Sequence, residues 1–186
     1  MQVEATKRLF TVDDYYRMAD AGILTPENRV ELIDGEVIQM SPIGARHAGC
    51  VNAANDLFVN AFRGRAIVSI QNPLRLNNYT EPEPDAVLLK YRSDSYRAKR
   101  AMGSDALLVL EVADTTLSYD VNVKVPRYAE SGVPEVWIED LENNLLLVYR
   151  DPERAGYRTA LTFQPADWVF VTTFPDVTFR VDAFLG

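Results

Sequence analysis

The chain has 186 residues, of which 47% are apolar and 25% charged, and this is typical of one folded domain over residues 1–186 with a full hydrophobic core. Its net charge of −8 argues against tight, non-specific binding to nucleic acid, which requires a basic surface, although a local basic groove is compatible with it. One cysteine, Cys50, excludes an intrachain disulfide and a thiolate metal cluster. The N-terminal MQVEATKR lacks the apolar core of a leader, and no apolar run is long enough to span a membrane, so we expect a cytoplasmic protein with no membrane partner.

Capping and turn residues predict the first elements of the chain. Thr11 and Asp14 have the spacing of a capping box, which predicts a helix from there to about Ala21. The dipeptide Asp34-Gly35 between two apolar runs is the strongest short signal for a β-hairpin. Apolar periodicity and turn residues predict a helix over 45–62, strands over 66–70, 74–76, 85–89 and 106–113, a solvated basic loop over 92–100, a helix over 119–131, a hairpin of 136–138 and 145–149, and strands within 157–163 and 168–184.

This order of elements predicts the fold class. Helices and strands alternate irregularly, so we expect an α/β protein in the α+β sense, with helices flanking a central mixed β-sheet rather than a regular βαβ array. The run over 106–113 is almost continuously apolar, which predicts a strand buried on both faces. The sequence has no glycine-rich phosphate loop, which argues against Rossmann and P-loop folds.

Glu111 interrupts that apolar run and is the first candidate for a functional residue. A lone ionised carboxylate in a dry core is costly, so Glu111 either faces water at the strand end, pairs with a cation or binds a metal. Val112 and Ala113 continue the apolar run beyond it, which favours the last two explanations.

Asp85 and Lys124 are the other two candidates, and each also has a simpler interpretation. Asp85 opens a strand although aspartate is a poor strand former, but a Pro-Asp pair is also common in turns. Lys124 follows Asp120 by four residues, which is the spacing of a surface ion pair on a helix. Pro126 predicts that the helix begins near Val125, with Lys124 at its N-terminal edge.

The combination of these residues resembles the PD-(D/E)xK nuclease superfamily, and in particular a bacterial restriction-endonuclease branch long classed as a domain of unknown function. The resemblance covers about residues 8–185 and is carried by Val30–Val37, Ser41-Pro42 with His47, Glu83-Pro84-Asp85, Leu110-Glu111-Val112, Tyr119-Asp120 through Lys124, and Tyr128–Ile138 with its distinctive GVPEVWI stretch. The superfamily pattern places its lysine two residues after the acid, where this chain has Ala113. The similar branch takes its lysine from the next helix, which points to Lys124.

The resemblance implies a restriction-endonuclease-like core and a metal-dependent endonuclease that hydrolyses phosphodiester bonds in DNA. It implies that Mg²⁺, or Mn²⁺ as a substitute, is held by Asp85, Glu111 and the backbone carbonyl of Val112, and that Lys124 stabilises charge at the phosphate. The two carboxylates are then expected about 4–6 Å apart, because ligand oxygens lie close to a hard metal. The residues expected to support the site are Glu31, His47 and Gln71.

The sequence also leaves alternatives to a nuclease open. A binding or assembly module that keeps the fold without turnover is favoured by the acidic net charge. A serine or cysteine hydrolase is disfavoured, because Cys50, three residues from His47, lies on an apolar helical stretch with no acid signature around it. We further expect a homodimer, since cutting two strands suits two sites, with the hairpin around Trp137 and the C-terminal strands supplying the interface.

Overall fold

A six-stranded mixed sheet forms the centre of the computed structural model, which describes residues 6–185. The strands, in spatial order, are β3 (Ala66–Ile70), β4 (Ala86–Lys90), β5 (Ala106–Ala113), β6 (Glu135–Asp140), β7 (Leu145–Glu153) and β8 (Gly156–Phe163). All neighbours pair antiparallel except β5 and β6, which are parallel because a helical crossover joins them. The predicted fold class is therefore confirmed. The prediction that the N-terminus lacks an apolar leader rests partly on residues 1–5, which lie outside the residues that the structure describes.

Strand β5 divides the core into two layers, as its nearly continuous apolar run predicted. Successive side chains of a strand point to opposite faces. Leu108 and Leu110 are packed in the cluster on one face, and Val109 and Ala113 belong to the cluster on the other, all with at most 1% of their surface exposed. Burial of both faces makes this strand the rigid support for any polar group at its end.

The long helix α2 (Ala45–Phe62) covers the first face, as its apolar spacing predicted. Phe58 and Phe62 project from α2 into an aromatic cluster with Trp137, Phe179 and Phe184. All of Trp137 is buried in this cluster. The expectation that the hairpin around Trp137 presents a surface for association is therefore wrong for this side chain, because its indole faces the core.

The second face is covered by one continuous helical segment that contains a π turn. It consists of α3 (Leu117–Tyr119), the π turn Asp120–Lys124 and α4 (Val125–Glu130). Pro126 lies in the first turn of α4, where a missing backbone N–H is tolerated. The wider π turn joins α3 to α4 without a break in the helical backbone. Lys124 therefore lies inside a helical segment and not at a free helix start.

A separate β-hairpin stands beside the main sheet and is formed by β1 (Val30–Ile33) and β2 (Glu36–Gln39). Asp34 and Gly35 have φ of 51° and 77°, the left-handed pair that a tight hairpin turn requires. A Cβ on Gly35 would lie 2.6 Å from the Cβ of Leu9, so close packing also requires glycine. The predicted hairpin is thus confirmed, as is the capping box at Thr11 that opens helix α1 (Val12–Asp20).

One strand prediction was wrong. Residues 74–76 are irregular, with Arg75 forming one isolated bridge, because their three amides donate to separate segments of the chain, at Pro82, Ala101 and Thr80, and not to one neighbouring strand. The strands predicted within 168–184 are confirmed as the short hairpin of β9 (Trp168–Phe170) and β10 (Thr178–Arg180), and helix α5 (Asp182–Leu185) follows them. Residues 92–100 are irregular and largely exposed, as predicted for the basic loop.

Within residues 6–185, no helix has the length and apolarity needed to cross a membrane.

Candidate active site

Asp85 and Glu111 occupy opposing positions at one end of the central sheet. Strand β4 begins directly after Asp85, and its first residue, Ala86, pairs with Leu110. Continuing this antiparallel register by one step places Asp85 opposite Glu111. The predicted pair of carboxylates is therefore brought to neighbouring strands, while the expected separation of their oxygens stays a prediction.

Three groups hold the Asp85 carboxylate. The Val112 amide donates to Oδ2 at 2.9 Å, His47 Nε2 lies 3.1 Å from the same oxygen, and Gln71 Nε2 donates to Oδ1 at 3.2 Å. The amide and carbonyl of one residue point to the same side of a strand, so the Val112 carbonyl also faces Asp85. Both predicted supporting residues, His47 and Gln71, thus contact this carboxylate.

Glu111 is buried, with 3% of its surface exposed, and pairs with Lys124 and Tyr128. Lys124 Nζ donates to Oε1 at 3.2 Å, and the Tyr128 hydroxyl donates to the same oxygen at 2.5 Å. Burial raises the pKa of Glu111 to about 8, against the opposing effect of the Lys124 ammonium. Tyr128 was not predicted from the sequence, although its position four residues after Lys124 places both on one helix face.

Lys124 is buried among three carboxylates, so its interpretation as a surface partner of Asp120 is wrong. Its Nζ lies 3.2 Å from Glu111 Oε1, 3.3 Å from Glu31 Oε2 and 3.9 Å from Asp120 Oδ1. Burial disfavours the charged ammonium, but Glu111, Glu31 and Asp120 outweigh it and raise the pKa of Lys124. Lys124 therefore stays protonated. The predicted supporting residue Glu31 contacts Lys124 instead of Asp85.

The site holds more acidic than basic side chains. Glu31, Asp85, Glu111 and Asp120 are all buried, and Lys124 is the one buried cation that pairs with them among the described residues. Burial also raises the pKa of Asp120. Unbalanced buried carboxylates are costly, and a hard divalent cation would offset that charge.

The oxygen donors at the sheet end fit a magnesium-type ion. Mg²⁺ usually takes one or two carboxylates and completes its shell with waters and phosphate oxygens. In residues 6–185, no three acidic, histidine or cysteine side chains converge as a complete metal cage. A site built on Asp85, Glu111 and a carbonyl is consistent with both statements, because it leaves positions open for water and substrate.

A cavity of about 800 Å³ opens above these residues. Its floor contains Asp85, Glu111 and Lys124. The hairpin and the following loop, residues 38–44, contribute to its lining, as do residues 114–124. The buried charged groups therefore line a cavity that is large enough for a small ligand.

Cys50 does not belong to a nucleophilic site. Its thiol is buried, and burial raises the pKa to about 11, so the reactive thiolate is not formed near neutral pH. His47 Nε2 is directed at Asp85 rather than at Cys50. The geometry agrees with the sequence in disfavouring a cysteine hydrolase.

Glu139 is a buried carboxyl group that does not line this cavity, and neither of its carboxyl oxygens has a hydrogen-bond partner among residues 6–185. Burial raises its pKa from 4.5 to about 8. Above pH 4.5 the unfolded chain releases the proton of the Glu139 carboxyl group, while the folded protein keeps it. The free energy of unfolding therefore has its full value below pH 4.5 and falls as the pH rises towards 8. At pH 7 this loss amounts to about 3 kcal/mol.

Glu139→Gln is expected to remove this pH dependence, because the amide cannot ionise. Urea unfolding of wild type and variant at pH 5 and pH 8 measures it, and between these two pH values the variant should gain about 3–4 kcal/mol relative to wild type. Glu142→Gln, a matched change at an exposed turn residue, serves as the control. Parallel pH profiles for wild type and Glu139→Gln would contradict the assignment.

A mixed sheet with an acidic pair at neighbouring strand ends and a lysine from the following helix defines a protein of the PD-(D/E)xK, restriction-endonuclease-like class. The chain matches the model of the Uma2 family, described as "Putative restriction endonuclease", over residues 12–182. This chain belongs to the Uma2 family, and the resemblance predicted from its sequence is confirmed.

A solved structure agrees with the fold. The chain is similar to the crystal structure of "a putative nuclease belonging to DUF820" from Anabaena variabilis ATCC 29413, with a TM-score of 0.70 and 16% sequence identity. The similarity covers 95% of this chain and 97% of that one. No curated protein sequence matches this chain.

Proposed function

We propose that this protein is a metal-dependent endonuclease that hydrolyses phosphodiester bonds in DNA. The observation that carries the proposal is the surplus of buried carboxylates around Lys124 at the floor of an open cavity. Buried titratable groups with strongly coupled charges are concentrated at functional sites. Membership of a family described as "Putative restriction endonuclease" supports the same chemistry.

Asp85, Glu111 and the Val112 carbonyl would hold the cation, Mg²⁺ or Mn²⁺ in its place. A bound cation of this type supplies an activated water and stabilises charge on the phosphate. His47 and Gln71 fix the Asp85 carboxylate through its two oxygens. This leaves Asp85 with little rotational freedom, as a metal ligand requires.

Lys124 would stabilise the negative charge that develops at the phosphate. A fixed ammonium in a water-poor cavity acts more strongly than one in bulk water. Glu31 orients this ammonium at 3.3 Å and also accepts a hydrogen bond from the Glu83 amide at 3.2 Å, which fixes its own position. Glu31 is therefore a positioning residue in this proposal rather than a metal ligand.

DNA cleavage tests the proposal. Wild type with Mg²⁺ or Mn²⁺ should cut DNA, and a chelator should stop the reaction. Asp85→Asn keeps the side-chain shape but removes the charge, and should lower the rate roughly a hundredfold or more. Asp20→Asn, at the exposed end of α1, is the matched control and should cut as wild type does.

Two outcomes would count against a nuclease. Equal cleavage by wild type and Asp85→Asn would place the activity elsewhere. Absence of cleavage on single-stranded, branched and duplex DNA with either metal would favour the binding or assembly module, which the net charge of −8 also favours. The cytoplasmic location and the single domain over residues 1–186 stay predictions from the sequence.

We also propose that the protein is a homodimer. Large apolar side chains are exposed on the C-terminal strands: Leu161, Trp168 and Phe170 have 40%, 61% and 38% of their surface exposed. Exposed apolar groups on short strands favour association. Light scattering at micromolar concentration should give twice the 21.0 kDa chain mass, and Trp168→Asp should shift it towards the monomer. A monomer mass for wild type would refute the dimer.

A further inference from the structure

We propose that this site acts on a single-stranded or locally unpaired segment of DNA and not on an intact duplex. The inference rests on the proposed endonuclease function and adds the form of the substrate. It is carried by the burial of the reacting groups, by the size and lining of the cavity and by the charge of that lining.

The reacting groups lie too deep for the backbone of a duplex. Asp85, Glu111 and Lys124 have 9%, 3% and 7% of their surface exposed. The cavity above them measures about 800 Å³, within the range of small-ligand pockets, roughly 300–1,000 Å³. A phosphodiester that reaches these residues must therefore enter with its nucleotide, and the space accommodates only a short piece of one strand.

The cavity does not accommodate the remainder of a double helix. Its lining comes from the hairpin and loop at residues 38–44 and from residues 114–124. Duplex DNA is stiff over about 150 base pairs, so it does not bend one of its phosphates into a pocket of this volume. A single strand has the flexibility to enter, and an unpaired base enters without the cost of unstacking from a duplex.

The wall residues suit an unstacked nucleotide. Ile38, Met40 and Ile43 give one side an apolar surface, and Ile43 has 40% of its surface exposed. Single-stranded substrates are usually bound by packing of bases on such surfaces combined with a cation for the backbone. Arg29 supplies that cation at the cavity rim, where its guanidinium donates to the Ser41 carbonyl at 3.3 Å.

The charge of the cavity lining disfavours a long polyanionic footprint. Among the residues that line the cavity, six are acidic, and these are Glu31, Glu83, Asp85, Glu111, Asp114 and Asp120. Arg29 and Lys124 are the only lysine or arginine residues in that lining. Binding of a duplex along its length requires many phosphate contacts from basic residues, which this lining lacks.

Cleavage of three DNA forms tests the inference. A single strand, a duplex with an unpaired flap of the same sequence and a relaxed, covalently closed circular duplex are incubated with wild type and Mg²⁺ or Mn²⁺. The single strand and the flap should be cut at the unpaired segment, and the circle should be cut at least roughly tenfold more slowly. A circle cut as fast as the single strand would overturn this inference and leave the proposed endonuclease intact. Absence of cleavage of all three would refute the endonuclease itself.

Binding measured without metal provides a second readout. Fluorescence anisotropy of a labelled single strand should report binding to wild type, and Arg29→Gln should weaken it roughly tenfold through loss of a charged hydrogen bond to phosphate. Arg154→Gln, in the exposed turn at the far end of the sheet between β7 and β8, makes the same charge change away from the cavity and should bind as wild type does. Equal affinity of Arg29→Gln and wild type would show that the strand does not enter at this rim, and would overturn the inference.

Discussion

Lys124→Ala is expected to lower the free energy of unfolding by about 3–5 kcal/mol, because it leaves buried carboxylates without their cation. Lys124 Nζ lies within 4 Å of Glu31, Glu111 and Asp120, and each of these acids is itself buried. Loss of the ammonium exposes each carboxylate to the repulsion of its neighbours in a low-dielectric region. Equilibrium unfolding in urea at pH 7 measures the effect.

Two further variants separate charge from packing. Lys124→Met keeps an unbranched apolar stem of similar length and removes the charge, so it should lose most of the same stability. Lys99→Ala changes an exposed lysine in the basic loop and should stay within about 0.5 kcal/mol of wild type. If Lys124→Ala is as stable as Lys99→Ala, the buried cluster does not depend on this ammonium.

This expectation differs from what a surface ion pair with Asp120 would give. As an exposed helix residue, Lys124 would be removable at little cost to the fold. Its burial means that loss of activity in Lys124→Ala combines a catalytic effect with destabilisation. Activity must therefore be measured below the unfolding transition of the variant, and the remaining folded protein should still lack cleavage.

Much of the fold was predictable because local signals were strong. The Asp34-Gly35 turn requires a left-handed backbone at two successive residues. A residue pair that adopts this conformation readily is a strong signal for a hairpin turn. The apolar run of β5 predicted a central strand, and Glu111 was visible because it breaks that run. Both signals act over a few residues, so tertiary contacts did not override them.

The burial of Lys124 and Asp120 could not be predicted in this way. A spacing of four residues shows that two side chains share a helix face, but not whether another element covers that face. Here the face packs against the end of β5, and Glu31 arrives from the separate hairpin. The role of Gln71 is similar, because its contact with Asp85 depends on a left-handed backbone at residue 71 that the sequence does not signal.

Asp85→Asn is expected to weaken binding of the divalent cation by at least roughly tenfold, the lower end of losses seen when even a supporting residue of a metal site is changed. The carboxylate is fixed by Val112, His47 and Gln71, so the amide should occupy the same place with one charge fewer. Because a hard cation prefers charged oxygen ligands, the loss should appear with both Mg²⁺ and Mn²⁺.

Calorimetric titration of Mn²⁺ and Mg²⁺ into wild type and Asp85→Asn, with Asp20→Asn as the matched surface control, tests the metal site most directly and does not depend on finding the right DNA. The account predicts saturable binding to wild type and Asp20→Asn and its loss in Asp85→Asn, with all three proteins folded. Identical heats for wild type and Asp85→Asn, or no saturable heat for wild type with either cation, would contradict a metal site at Asp85 and Glu111.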